Sequence, residues 1–139
     1  MSTDGWSHFH HQADIGVCGK GKTLAQAFAN TALAMSAVIT DPERIHPEQP
    51  ITVHCDAPEA DLLLVDFLNA IIFEMATRHM LFSRFDIHIE ENRLSATLWG
   101  ERLDVARHQP AVEVKGASYT ALRVVNENGH WIAQCVVDV

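Results

Sequence analysis

The sequence predicts an α+β fold in two layers, with two helices packed on a largely antiparallel or mixed sheet. Three observations lead there. Two long segments carry apolar residues at helical spacing, and several shorter ones alternate apolar and polar residues as half-buried strands do. The chain has 139 residues, the size of one domain, and residues 1–139 are expected to form a single one. Of these, 38 are Leu, Ile, Val or Phe, too many for a disordered polypeptide.

In chain order, residues 6–10 are the first strand candidate. A glycine-rich turn at 16–21 then leads into a helix from Thr23, with Leu24, Phe28, Met35 and Ile39 on its larger apolar positions and alanines between them. Thr23 and Gln26 form a Thr-x-x-Gln capping box. Asp41-Pro42 ends the helix, because proline disfavours helical geometry in the residue before it. Residues 40–50 read as a connection and 51–55 as a strand. The second helix runs from about Pro58 to Arg78, with Asp56 and Glu59 as a capping pair and Leu64, Leu68, Ile71, Ile72 and Met75 as its inner stripe. Phe85, Ile87 and Ile89, then Leu94, Ala96 and Leu98, form a hairpin around Glu91-Asn92. Residues 100–110 read as a loop, and a second hairpin joins 119–125 to 131–137.

Charge and composition exclude several classes. Ten basic residues face 18 acidic ones, for a net charge of −8. Nonspecific nucleic-acid binding relies on clustered Lys and Arg, and no such cluster exists, so direct RNA or DNA binding is not expected. A cation or a basic protein partner suits this surface better. Cys18, Cys55 and Cys135 are odd in number and contain no CxxC pair, which fits neither a disulfide framework nor a thiolate zinc finger. The first residues lack a signal-peptide profile, and the longest aliphatic run, Leu62 to Val65, cannot span a membrane. A soluble cytoplasmic protein is expected.

Four groups of residues invite chemistry. Gly16-Val17-Cys18-Gly19-Lys20-Gly21-Lys22-Thr23 matches GxxxxGK[ST], a phosphate-cradling loop, and Asp66 after Leu62-Leu63-Leu64-Val65 resembles a magnesium-holding aspartate. A small nucleotide-binding enzyme using Gly16 to Thr23 is therefore the alternative reading. Its context is poor: the preceding segment is polar at alternate positions, and the aspartate continues at helical spacing. His8, His10 and His11 beside Asp14 suggest zinc, but spacing supplies no further ligand. No activated nucleophile stands out, and Lys115 reads as a snorkelling strand residue. Finally, Asp138 lies next to the α-carboxylate of Val139, so two anions repel unless both are solvated or a cation sits between them. Oxygen ligands of this kind suit Ca²⁺ or Mg²⁺.

Taken in order, these residues resemble the archease family over nearly the whole chain. The resemblance is carried by His11-Gln12-Ala13-Asp14-Ile15-Gly16, Gly19-x-Gly21-x-Thr23-Leu24, Ala27-Phe28, Ala34-Met35 and Leu68-Asn69. It continues through Gly100-Glu101-x-Leu103-Asp104, Arg107-His108, Val114-Lys115, Tyr119, Trp131 and Val137-Asp138-Val139. The resemblance implies a non-catalytic accessory protein of an RtcB-type RNA ligase, promoting guanylylation and multiple turnover of that ligase in tRNA splicing and RNA repair. It also implies a metal site made of Asp14, Asp138 and the terminal carboxylate of Val139, with Ca²⁺ expected first and Mg²⁺ or Mn²⁺ as alternatives. Three positions depart from the family pattern: Ala25 and Ala70 where glutamate is common, and Thr120 where histidine is common.

Overall fold

The computed structural model describes residues 4–139. Strand β1 (Gly5–His11) turns at Gln12-Ala13 into β2 (Asp14–Gly21). Helix α1 (Leu24–Ile39) and a 3-10 turn (Pro42–Arg44) lead to β3 (Gln49–Asp56). Helix α2 (Ala60–Arg78) precedes the hairpin of β4 (Met80–Glu90) and β5 (Arg93–Arg102). A one-turn helix α3 (Val105–His108), the two-residue β6 (Gly116–Ala117) and the hairpin of β7 (Arg123–Glu127) and β8 (His130–Asp138) complete the chain.

The fold is α+β, and every strand pairing is antiparallel. The expected single sheet is two. One has five strands in the order β1-β2-β8-β6 with β7 also on β8, and the other is ordered β3-β5-β4. Alternation within strands reports which face is buried but not which strands share a sheet, so the division was invisible in the sequence.

Helix α1 joins the two sheets. Its buried hydroxyls bond strand carbonyls: Thr31 Oγ1 donates to Ala133 O at 2.9 Å in β8, and Ser36 Oγ donates to Phe82 O at 2.6 Å in β4. Phe28 of α1 stacks on Phe67 of α2 with centroids 6.3 Å apart. Residues from both sheets and both long helices form one apolar cluster. Among the described residues, no helix is long and apolar enough to cross a membrane.

Local signals held where chemistry is short-range. Thr23 caps α1, its Oγ1 accepting the Gln26 amide at 3.1 Å. The reciprocal half of the box shifts by one residue, since Gln26 Oε1 accepts the Lys22 amide at 2.9 Å. The Asp56–Glu59 capping pair does not form. Asp56 is committed to β3 opposite Arg93, Glu59 caps α2 without a side-chain bond, and Asp61 bonds the Leu62 amide instead. Leu64, Leu68 and Ile71 of the stripe are buried, while Ile72 and Met75 are half-buried. Residues 100–102 extend β5 and 105–108 are helical, so the expected loop at 100–110 is largely regular. The second hairpin is shorter than expected. Residues 119–121 form a turn closed by Leu122 N–H on Tyr119 O at 3.2 Å, with Ala121 at φ 53°. Beside that turn, the amide of Val136 donates to Thr120 O at 3.1 Å and its carbonyl accepts the Ser118 amide at 3.0 Å, which leaves the connection irregular.

The glycines of the 16–21 run are not a turn but part of β2. A Cβ at Gly19 would lie 2.2 Å from Thr31 N and 2.3 Å from Ala27 O, both backbone atoms of α1. The helix can approach the sheet this closely only because that side chain is missing. Gly19→Ala should therefore destabilise the protein by about 3 kcal/mol, as overpacking against unyielding backbone does. Gly16→Ala should cost less, because its contact is the ring of Phe9, a side chain on an edge strand. Urea denaturation of the two variants would rank them.

Candidate metal centre

Strand β2 lies between β1 and β8, and that position settles two of the readings above. Its residues pair on one side with β1 (Gly5↔Lys20 to His11↔Asp14) and on the other with β8 (Ile15↔Val137 to Gly21↔Trp131). Gly16 to Gly21 thus lie in a strand paired on both sides, and the Lys22 amide bonds Gln26 Oε1 at 2.9 Å, so the GxxxxGK[ST] run is not a phosphate-cradling loop. Thr23 is spent as the cap of α1, and Asp66 is an exposed helical residue. The match to a nucleotide-binding loop is a correction: the letters agree, but the backbone is a central strand.

The same ladder carries Asp14 to the end of the chain. One step beyond the Ile15↔Val137 pair, the register sets Asp14 beside Asp138. The Val139 amide points at Asp14, 3.5 Å from Oδ1. The terminus is held rather than frayed. The Val139 side chain packs against the core, and the Asp138 carbonyl accepts the Lys115 amide at 2.8 Å. Asp14 and Val139 are half-buried and Asp138 is exposed. Among the described residues, neither aspartate has an ion-pair partner. Asp14, Asp138 and Val139 therefore stand at the same end of the five-stranded sheet, where the side chains available offer only oxygen donors. Such donors fit a hard divalent cation.

One supporting residue gave no chemical signal in the sequence. The side-chain amide of Asn69 in α2 pairs with the backbone of Ala117 like a neighbouring strand: Oδ1 accepts the Ala117 amide at 2.9 Å and Nδ2 donates to its carbonyl at 3.2 Å. This holds β6 against Val137 and Asp138. Lys115 contributes its backbone at the same place, and its exposed side chain lies outside any strand, contrary to the expected strand position. Of the departures, Ala25 lies in the first turn of α1, Ala70 follows Asn69 in α2, and Thr120 lies in the turn beside Val136.

The histidines do not make the zinc site suggested by their spacing. His8 Nε2 bonds Ala34 O at 2.7 Å, His10 is exposed, and His11 pairs with Asp14 across the hairpin through the backbone. The cysteines are equally quiet. Burial pushes Cys135 up to about 12 and raises Cys18 and Cys55, so none is poised as a thiolate.

A second polar cluster lies around Glu101, a buried carboxylate. Its Oε2 accepts the His46 amide at 2.7 Å and the ring Nε2 of His108 at 2.9 Å, and Oε1 meets Arg107 Nη2 at 2.5 Å. His108 is fully buried, and its Nδ1 accepts the Asp104 amide at 2.9 Å, which assigns the proton to Nε2. Burial alone would raise the Glu101 carboxyl. The bonds from Arg107, His46 and His108 outweigh that and lower it from 4.5 to about 2.

With the geometry in place, comparison with known proteins is direct. Residues 6–139 match the model of the Archease protein family (MTH1598/TM1083). The archease of Aeropyrum pernix is 33% identical over 144 residues, covering all of both chains. That of Thermococcus gammatolerans is 34% identical over 139 residues, covering 96% of this chain and 98% of its own. A solution structure from Methanobacterium thermoautotrophicum superposes with a TM-score of 0.86 at 29% identity, covering 97% of this chain and 99% of that one. A crystal structure from Thermotoga maritima, described as an archease and possible chaperone, shares the fold with a TM-score of 0.61 at 18% identity, covering 94% of each chain. The fold defines a small α+β protein whose first two strands and last strand share one sheet. The chain belongs to the archease family.

Glu101 supplies the testable consequence of its cluster. Because its folded pKa lies below its ordinary value, its contribution to stability is complete above about pH 4.5 and is lost as pH falls through about 2. Glu101→Gln should cost about 2 kcal/mol at pH 7, as expected when charge-assisted bonds to buried donors are lost. The gap between variant and wild type should close between those two pH values in denaturation midpoints.

Proposed function

We propose that this protein is a non-catalytic, cytoplasmic activator of an RtcB-type RNA ligase. In this reading it promotes guanylylation and multiple turnover of the ligase in tRNA splicing or RNA repair. Asp14, Asp138 and the carboxylate of Val139 hold a divalent cation, Ca²⁺ in the first instance. The observation that carries the reading is the meeting of Asp14 with the chain's own C-terminus, 125 residues away, at one end of a sheet in a chain of this family.

Each residue has a definable part. Asp14 and Asp138 offer oxygen donors from the start of β2 and the end of β8, whose pairing sets their separation. Val139 offers its terminal carboxylate, fixed by the packing of its side chain. The bound ion would screen three repelling carboxylates and present a positive centre with open coordination positions to an acidic or phosphate-bearing group of the partner. Lys115 and Asn69 hold the supporting strand in place through backbone and amide bonds. With a net charge of −8 and no basic cluster, the protein acts on the ligase and not on RNA.

The test is guanylylation and multiple-turnover joining by a cognate ligase, with wild-type protein and with Asp138→Ala. Asp138 is exposed, so the variant should fold normally. Wild type should accelerate turnover at substoichiometric amounts, while Asp138→Ala should lose most of the stimulation together with Ca²⁺ binding. Unchanged stimulation by a folded Asp138→Ala would end the metal-centred account. Stabilisation by the ion without any effect on the ligase would instead indicate a chaperone-type module.

A further inference from the structure

The cluster around Glu101 has an outer side that the proposed activation does not use. His46 Nδ1 lies 3.7 Å from Glu48 Oε1 and 3.8 Å from Glu101 Oε1, and the three ligand atoms all lie within 4.8 Å of one another. The geometry points to a second metal site, formed by His46, Glu48 and Glu101, that takes a borderline transition-metal dication of the Zn²⁺ class.

The spacing argues for an ion rather than direct contact. Hydrogen bonds between an imidazole and a carboxylate close to about 2.7–2.9 Å. Around a tetrahedral Zn²⁺ with bonds near 2.0–2.1 Å, neighbouring ligand atoms are about 3.4 Å apart. The 3.7 and 3.8 Å from the imidazole approach that value, and rotation of the exposed Glu48 and His46 side chains would bring the set, already within 4.8 Å, to it.

The frame beneath the ligands is already built. Glu101 is oriented by His108 and by the His46 amide on one oxygen, so its position does not depend on the ion. The same His46 amide bond fixes the backbone that carries the imidazole, and Ser83 Oγ pins the preceding carbonyl of Ile45 at 2.7 Å. The Glu48 amide donates to His46 O at 2.9 Å and to Gly100 O at 3.1 Å, which ties the third ligand to the end of β5. Support of this kind around the ligands is what distinguishes a metal site from a chance surface group. Glu48 and Glu101 also border, with Arg107, an open depression of about 520 Å³.

Arg107 shares Glu101 Oε1 and so limits affinity, since a dication there must tolerate a neighbouring guanidinium. One imidazole and two carboxylates suit Zn²⁺ better than Ca²⁺, which prefers six to eight oxygens. The inference is independent of the ligase reading, because it involves none of Asp14, Asp138 and Val139.

Isothermal titration of the metal-stripped full chain with ZnCl2, in a Cys55→Ser background that removes the half-buried thiol, tests it. One Zn²⁺ per chain should bind, and His46→Ala and Glu48→Ala should each weaken binding at least tenfold. Both side chains are more than half exposed, so both variants should melt as the parent does without metal. Asp14→Asn should leave zinc affinity within twofold, and millimolar Ca²⁺ should not displace the zinc. Absence of zinc binding, wild-type affinity in His46→Ala or Glu48→Ala, or loss on Asp14→Asn would overturn the assignment.

Discussion

The pairing of β2 with β8 is the constraint on which the rest of the molecule depends. It joins residues near the start of the chain to the last ones across seven consecutive pairs. Closing so long a separation costs chain entropy that local structure cannot repay, so the ladder must be supported by burial on at least one face. That support is α1. The missing side chain at Gly19 lets the helix backbone approach β2, and Thr31 crosses to the Ala133 carbonyl in β8. The helix is thereby fixed to both strands of the pair at once.

Other elements align around this centre. Ser36 and the Phe28–Phe67 stack connect α1 to the second sheet and to α2, so both sheets share one core. Thr40 Oγ1 bonds the His108 carbonyl at 2.5 Å, and Glu101 then gathers His108, Arg107 and the His46 amide into a closed network. The network replaces regular structure in a region where the chain makes only a 3-10 turn and one turn of helix. Its polar atoms are satisfied internally, as burial demands.

The proposed function rests on the same pairing. Asp14, the first residue of β2, and Asp138, the last residue of β8, reach the same end of the sheet by register, and Val139 follows them. Concentrated negative charge without an internal counter-ion is costly in a folded protein. In the proposed reading a bound cation would relieve that repulsion and turn its open coordination positions toward the partner. Val139 packs against the core and the Asp138 carbonyl accepts the Lys115 amide, so this end of β8 is held to its neighbours.

The sequence by itself determined the fold class, the two long helices, the Thr23 cap and the strand alternation, because each rests on residues close together in the chain. It also raised Asp14, Asp138 and Val139 as a group, through charge next to the terminus and the family resemblance. Tertiary structure alone decided that Gly16 to Gly21 is a central strand and not a phosphate loop, since the same glycines serve either a turn or a close helix contact. It alone divided the strands into two sheets and placed Asn69 beside Ala117, 48 residues away. The same holds for Glu101 and His46, 55 residues apart. Such contacts depend on which distant surfaces are buried together, and periodicity within a segment carries no information about its partner.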